Sequence, residues 1–176
     1  MYSIRNNQNI IDCFHQYRQG EYEMKKTFNE QITLISPTDK STVPFKLEYE
    51  EDDKHHTHSV ITLTYKDVEY TGEGTDWLWV DTFADLQSKL PDNIELACCL
   101  TCRHGNMCPY GNKENQLFCT KNFDITSKMD MCDLFDKQIV YNENIEVFAY
   151  GYCDNFIYQS KDYYTYNDYI FRLEEK

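Results

Sequence analysis

Residues 98 to 123 constrain the fold more than any other segment, because they are rich in cysteine and poor in hydrophobic periodicity. Five of the eight cysteines of this 176-residue chain lie between Cys98 and Cys119. A segment without a regular apolar stripe contributes little to a hydrophobic core, so its order must come from another source. In a cysteine-rich stretch the two usual sources are bound metal and disulfide bonds.

The expected compartment favours metal over disulfides. The first eight residues are polar and lack the apolar stretch of a signal peptide. The most apolar stretches, residues 77 to 80 and 94 to 100, are far shorter than a membrane span. We therefore expect a cytoplasmic protein that does not bind membranes and whose thiols stay reduced.

The spacing Cys-x2-Cys-x5-Cys-x10-Cys is the strongest chemical signal in the chain. A Cys-x2-Cys pair on a tight turn directs two thiolates to one tetrahedral ion, and a second pair completes the coordination. The predicted zinc ligands are Cys99, Cys102, Cys108 and Cys119. Because four thiolates leave no open position, the predicted zinc is structural and not catalytic.

Alternatives to this ligand set and to this metal stay open. Neighbouring residues of a strand point to opposite faces, so only one of Cys98 and Cys99 faces the ion, and Cys99 keeps the spacing to Cys102. Three further residues are substitute ligands: His104, Cys132 and Cys153. An iron–sulfur cluster is the second choice, since Cys108-Pro109 is similar to the end of a ferredoxin run, although the spacing departs after the first pair. Free thiols are the third.

The first part of the chain predicts an antiparallel sheet with helices. Apolar and polar residues alternate in three stretches, as in strands with one buried face. These stretches are Ile32–Leu34, Val43–Tyr49 and Ile61–Tyr65. Helical spacing predicts helices over residues 9 to 26 and from Asp81 or Thr82 to Leu90. The glycines of residues 71 to 74 predict a turn, and residues 94 to 100 predict a strand.

The fold class expected is α+β, with a small antiparallel sheet and covering helices, then a cysteine-rich metal knuckle and a tyrosine-rich C-terminal lobe. The predicted segments are residues 1–97, 98–123 and 124–176, and the last contains eight of the fifteen tyrosines. Within it, residues 146 to 150 and 155 to 158 predict strands. We expect this lobe to pack on the first segment and form one compact domain.

The charge balance restricts the possible partners. The chain has 30 acidic and 17 basic residues, a net charge of −13, with no cluster of Lys and Arg. Direct nucleic-acid binding is therefore excluded, because affinity for phosphates depends on such clusters. The acidic run Glu50, Glu51, Asp52 and Asp53 is predicted to bind a basic protein. The alternative is a solvated loop that prevents edge pairing of a strand.

Catalytic signatures are missing from the sequence. It contains no phosphate-binding Gly-rich loop, no Gly-x-Ser-x-Gly elbow and no His-Glu-x-x-His pair. A cysteine nucleophile is conceivable with Cys132 or Cys153 and with His15 or His104, but no spacing selects such a pair. The histidines at positions 55, 56 and 58 are expected to be solvated. The sequence thus favours a non-enzymatic protein.

The segment from Cys99 to Gly111, Cys-Leu-Thr-Cys-Arg-His-Gly-Asn-Met-Cys-Pro-Tyr-Gly, resembles a signature of small uncharacterised bacterial proteins without an established activity. The resemblance implies a bacterial intracellular source. The sequence as a whole predicts a cytoplasmic binding protein with a structural zinc site, such as an immunity-type inhibitor of a basic protein. The alternative is a metal–thiolate redox or iron–sulfur protein, or an enzyme of unknown reaction.

Overall fold

The computed structural model describes residues 24–52, 54–76, 78–112 and 115–175. These residues form two antiparallel sheets and several helices, which confirms the predicted α+β class. The elements of the first part are β1 Met24–Ser36, β2 Asp39–Glu51, β3 Thr57–Tyr65, β4 Val68–Gly74, α1 Val80–Lys89 and β5 Glu95–Ala97. Those of the second part are β6 Gly105–Asn106, β7 Gln116–Cys119, α2 Lys128–Asp136, α3 Ile139–Asn142, β8 Glu146–Phe148 and α4 Tyr169–Glu174.

The first sheet has the order β4-β3-β2-β1-β5 and follows the predicted alternation. In β2, Phe45, Leu47 and Tyr49 are buried, whereas Lys46 and Glu48 are exposed. A shift of register by one residue would turn every apolar side chain to solvent, so the burial of one face fixes the pairing. The structure therefore confirms the three predicted strand regions.

The predicted turn at residues 71 to 74 is wrong, because Thr71 to Gly74 belong to β4, a strand that the sequence analysis missed. A Cβ at Gly72 would lie 2.6 Å from the backbone nitrogen of Leu86 and 2.5 Å from the carbonyl oxygen of Thr82. Helix α1 thus packs directly on the backbone of β4. The glycines allow this close approach rather than a turn.

Helix α1 begins at Val80, one residue before the predicted start, and its N-cap is neither Asp81 nor Thr82. The Asp76 carboxylate accepts hydrogen bonds from the backbone N–H groups of Val80 and Asp81, each at 2.9 Å. Trp79, at the N-cap position, is buried in a left-handed conformation with a φ of 65°. A carboxylate in the preceding loop therefore satisfies the free donors of the first turn.

Asp76→Ala is expected to lower the free energy of unfolding by about 1–2 kcal/mol, the usual loss for removal of a helix cap. Urea denaturation followed by circular dichroism measures the effect. The control is Asp92→Ala, which removes an exposed carboxylate from the loop after α1. Equal losses in the two variants would show that Asp76 acts through net charge and not as a cap.

Other predicted elements differ from the structure in part. Of the helix predicted over residues 9 to 26, residues 9 to 23 lie outside the described residues, and Met24 to Lys26 belong to β1, where they pair with β2. The strand predicted over residues 94 to 100 is limited to β5, because the chain then turns into the cysteine-rich segment. Residues 155 to 158 make only an isolated bridge, between Tyr158 and Cys102. Of the strand predicted at 146 to 150, residues 146 to 148 are confirmed as β8, and residues 149 and 150 belong to the turn that follows.

The principal core connects the C-terminal segment to the first sheet. It contains the buried faces of the sheet and of α1 together with Leu117, Ala149 and Tyr169. A second apolar cluster forms around α2 and includes Phe118 and Phe135. Within the described residues, none of the helices has the length and apolar content needed to cross a lipid bilayer.

Candidate metal centre

The Cys-x2-Cys pair lies on a tight backbone turn that ends at Gly105. The Cys102 N–H donates to the Cys99 carbonyl at 3.3 Å, and the Gly105 N–H donates to the Cys102 carbonyl at 2.9 Å. A Cβ at Gly105 would lie 1.8 Å from the Cys99 carbonyl oxygen, so the turn is too tight for any side chain there. This turn brings the two thiols of the pair to the same region.

Strand β7 places a third thiol beside the turn. Gly105 of β6 pairs with Cys119 of β7, and the Thr120 N–H donates to the His104 carbonyl at 2.9 Å. On its other side, the Cys119 N–H donates to the Ile145 carbonyl at 2.8 Å. Cys119 is therefore held by backbone hydrogen bonds on both sides of its strand.

The loop after β8 adds a fourth thiol, that of Cys153. The Cys99 N–H donates to the Gly151 carbonyl at 2.6 Å, and the Leu100 N–H donates to the Ala149 carbonyl at 2.9 Å. A Cβ at Gly151 would lie 3.5 Å from the Cys99 Sγ, which shows how closely the loop approaches this thiol. Main-chain hydrogen bonds thus fasten the loop that carries Cys153 to the Cys-x2-Cys turn.

Cys99, Cys102, Cys119 and Cys153 line one cavity of about 10 Å³, and Cys98 is a fifth cysteine in its wall. This is about the space of one water molecule, so the cavity suits an ion and not an organic substrate. Among the described residues, no three Cys, His, Asp or Glu side chains already stand in a geometry that holds a metal ion. The thiols therefore converge on the cavity without forming a finished coordination shell.

The charged residues at this cavity are basic, although the chain as a whole is strongly acidic. His104 and Lys121 line the cavity, and none of the described residues that line it is an aspartate or glutamate. Burial lowers the pKa of His104, and the guanidinium of Arg103 and the ammonium of Lys121 lower it further. The positive charge near the thiols is therefore that of Arg103 and Lys121.

Burial keeps the thiols of Cys98, Cys99 and Cys102 protonated, because it raises the pKa of each. It raises the pKa of Cys98 to about 11 and also raises the pKa values of Cys99 and Cys102, to which the neighbouring thiols contribute. A nucleophilic cysteine needs the opposite shift, towards the thiolate at neutral pH. Cys99 and Cys102 therefore lack the environment of an activated nucleophile.

The structure brings three of the four predicted ligands to the cavity and does not bring Cys108. The backbone N–H of Cys108 donates to the Asn112 side-chain oxygen at 2.6 Å, and its side chain packs against the second apolar cluster. Cys153, named above as a substitute ligand, lies at the cavity in its place. Cys132 lies on α2 and does not line the cavity, whereas Cys98 and His104 do.

Two buried side-chain amides, those of Gln159 and Asn167, support the Cys-x2-Cys turn, and no pattern in the sequence indicated either of them. The Gln159 side-chain amide donates to the Leu100 carbonyl at 2.8 Å and to the Asn167 side-chain oxygen at 3.0 Å. The Asn167 side-chain amide donates to the Gly105 carbonyl at 2.5 Å. The tyrosine-rich segment therefore supports the turn through these polar residues.

Asn167→Ala is expected to lower the free energy of unfolding by about 2–4 kcal/mol, because the buried Gly105 carbonyl and the buried Tyr169 N–H both lose their hydrogen bonds to the Asn167 side chain. Urea denaturation measures the change. Asn142→Ala, which removes an exposed amide at the end of α3, is the control and should stay within about 0.5 kcal/mol of the wild type. A comparable loss in the control would contradict this role of Asn167.

The acidic run forms internal contacts. Glu50 pairs with Lys25 at 3.1 Å, and Glu51 contacts the His55 ring at 2.7 Å. Asp52 contacts the His56 ring at 2.9 Å and accepts the backbone N–H groups of residues 54 and 56, and the His56 N–H is the main cause of its lowered pKa. Asp53 lies outside the described residues. The Glu50 carboxylate thus pairs across β1 and β2, whereas those of Glu51 and Asp52 contact histidines in the connection between β2 and β3.

No protein-family model, curated protein or solved structure matches this chain. The resemblance of the segment from Cys99 to Gly111 to bacterial proteins therefore stays a prediction. The function has to be argued from the thiol cavity and from the surfaces around it.

Proposed function

We propose that the chain is a non-enzymatic binding protein of the bacterial cytoplasm whose cysteine-rich part is stabilised by a structural zinc ion. The proposed ligands are Cys99, Cys102, Cys119 and Cys153. The observation that carries this proposal is the convergence of thiols from three separate chain segments on one ion-sized cavity. Structural zinc sites have this composition, with four sulfur ligands and no open position.

The charge around the cavity supports the same assignment. Four thiolates and one Zn²⁺ carry a net charge of −2, which the Lys121 ammonium at the cavity would partly offset. Because metal binding and deprotonation of the ligands are coupled, the protonated thiols of Cys99 and Cys102 become ligands only when the ion binds. The zinc ion would then close the coordination shell and connect the Cys-x2-Cys turn, β7 and the loop after β8.

Metal analysis of the untagged protein tests this proposal. We expect about one zinc per chain and no visible absorption. A brown protein that contains iron and sulfide would show that the iron–sulfur alternative is correct. A protein purified under reducing conditions without any bound metal, and unable to take up added zinc, would contradict both assignments.

The proposed partner is a basic protein, as for an immunity-type inhibitor. The net charge of −13 supports this choice, because a strong negative field increases the association rate of a cationic protein. Complex formation should weaken steeply when the salt concentration rises from about 0.05 M to about 0.5 M. Size-exclusion chromatography of the native lysate at both salt concentrations measures this effect, and a free monomer at both would contradict it.

A further inference from the structure

We propose that the groove beside β8 binds an extended, basic peptide segment of a partner protein, which adds a strand to the edge of the second sheet. This inference rests on the proposed binding function and identifies the surface that would bind the partner. The acidic run predicted for the same role has carboxylates at residues 50 to 52 that already contact Lys25, His55 and His56. Within the part of the chain that the structure describes, the carboxylates in the groove beside β8 have no such contacts.

Strand β8 is the outer strand of the sheet β6-β7-β8. The backbone groups of Ile145 and Ala149 face β7, since the Ile145 carbonyl accepts from Cys119 and the Ala149 N–H donates to Asn115, both at 2.8 Å. Backbone direction alternates along an antiparallel strand, so the N–H and C=O of Glu146 and the N–H of Phe148 face outward. These three groups are the hydrogen-bonding positions that an added strand requires.

The outer edge of β4, in the first sheet, is not free. On the outer side of β4, the Glu73 N–H donates to the Asp85 carboxylate at 2.9 Å, and the Thr71 carbonyl accepts from the Lys89 ammonium at 2.9 Å. Side chains of α1 therefore occupy the edge of β4 and prevent pairing with another chain. No such side chain, among the described residues, covers the outer edge of β8.

The groove along β8 has a volume of about 670 Å³ and walls suited to a basic segment. Phe148 and Tyr152 contribute aromatic rings. The Phe148 side chain is 60% exposed with one face of its ring stacked on Tyr150, and the Lys40 ammonium lies 5.0 Å from the centre of the Tyr152 ring. Aromatic faces attract the cationic groups of lysine and arginine. This size accommodates a few residues of extended chain, rather than a folded domain.

Two carboxylates in the groove favour a positively charged partner segment. Glu143 and Glu146 line the groove, are exposed, and have no ion-pair partner among the described residues. Among the described residues that line the groove, Lys121 is the one cation, and it also lines the metal cavity. The Lys40 ammonium lies over the ring of Tyr152, which lines the metal cavity too and is not part of β8. A lysine or arginine beside β8 would therefore meet unpaired negative charge.

Titration of the full chain as purified, with a blocked nonapeptide of alternating lysine and valine, tests the proposal. We expect binding with a Kd of roughly 10–100 µM, the weak range of small interfaces. The double variant Glu143→Gln, Glu146→Gln should bind about tenfold more weakly, because two charge contacts are lost. The matched control is the double variant Glu69→Gln, Glu73→Gln on the edge strand β4, which should bind as the wild type does.

A proline at position 148 tests the strand pairing itself. Phe148→Pro removes an outward N–H and leaves the hydrogen bonds to β7 in place, as proline does on edge strands. It should weaken peptide binding at least about fivefold relative to Phe148→Ala, which removes only the ring. Unchanged circular dichroism and zinc content in both variants would exclude unfolding as the cause.

Three outcomes would overturn the docking proposal: no binding at about 1 mM peptide, equal binding of the corresponding glutamate–valine peptide, or equal affinity of the β8 variants and the β4 control. None of them would alter the metal content or the salt dependence of partner binding, which test the proposed function. Failure of the docking surface and failure of the proposed function can therefore be distinguished.

Discussion

Cys153→Ser is expected to abolish stoichiometric zinc binding, whereas Cys108→Ser is expected to retain about one zinc per chain. Cys153 lines the thiol cavity, and Cys108 packs in a different apolar cluster. Structural zinc contributes on the order of 10 kcal/mol in small zinc modules. Part of that stabilisation would be lost here, so the Tm of Cys153→Ser should fall by about 10 °C or more in thermal denaturation.

Cys132→Ser is a second control, because Cys132 lies on α2 outside the cavity. Metal content by mass spectrometry and titration with a chromophoric chelator measure both occupancy and affinity. Loss of zinc in Cys108→Ser with retention in Cys153→Ser would mean that the spacing-based ligand set is right and that the cavity is not the zinc site. Retention in Cys102→Ser would contradict both ligand sets.

The first sheet was predictable because its signal is local. Burial of one face imposes a period of two on the residues, and Phe45, Leu47 and Tyr49 show it directly. Strand β4 gave no such signal, since Gly72 and Gly74 resemble turn residues when the chain is considered alone. Their role depends on how close α1 comes to the strand, which is a tertiary distance.

Some cysteines of the thiol site could be predicted from local sequence, whereas others depend on contacts between distant parts of the chain. Cys99 and Cys102 lie on one turn, so their spacing in sequence indicates their common direction. Cys153 lies far along the chain, and it reaches the cavity because the loop after β8 pairs with the backbone of the turn. The spacing of the cysteines in the sequence does not show that this loop reaches the turn. Cys153 could therefore be predicted only as a substitute ligand.

The acidic run shows a different limit of sequence reasoning. Composition reveals an excess of carboxylates but not which of them have partners. The cross-strand register places Lys25 opposite Glu50, and the turn after β2 places His55 and His56 beside Glu51 and Asp52. Contacts set by pairing between strands thus occupy charges that look free in the sequence.

Gly105→Ala is expected to lower the free energy of unfolding by more than about 3 kcal/mol, the range of severe backbone and packing defects. The new Cβ would lie 1.8 Å from the Cys99 carbonyl oxygen, a backbone atom that cannot move without opening the turn. Opening the turn separates Cys99 from Cys102 and breaks the pairing of β6 with Cys119. Zinc affinity should therefore fall together with stability.

Gly111→Ala is the matched control for this substitution. Gly111 has a φ of 113°, and a Cβ there would meet no atom within 4 Å, so alanine adds backbone strain without a clash. Its cost should be about 1–3 kcal/mol, with zinc content unchanged, because residue 111 does not line the cavity. Urea denaturation and metal analysis of both variants separate the two effects. If Gly105→Ala retained full zinc content and was no less stable than Gly111→Ala, the tight turn would not be required for the thiol site.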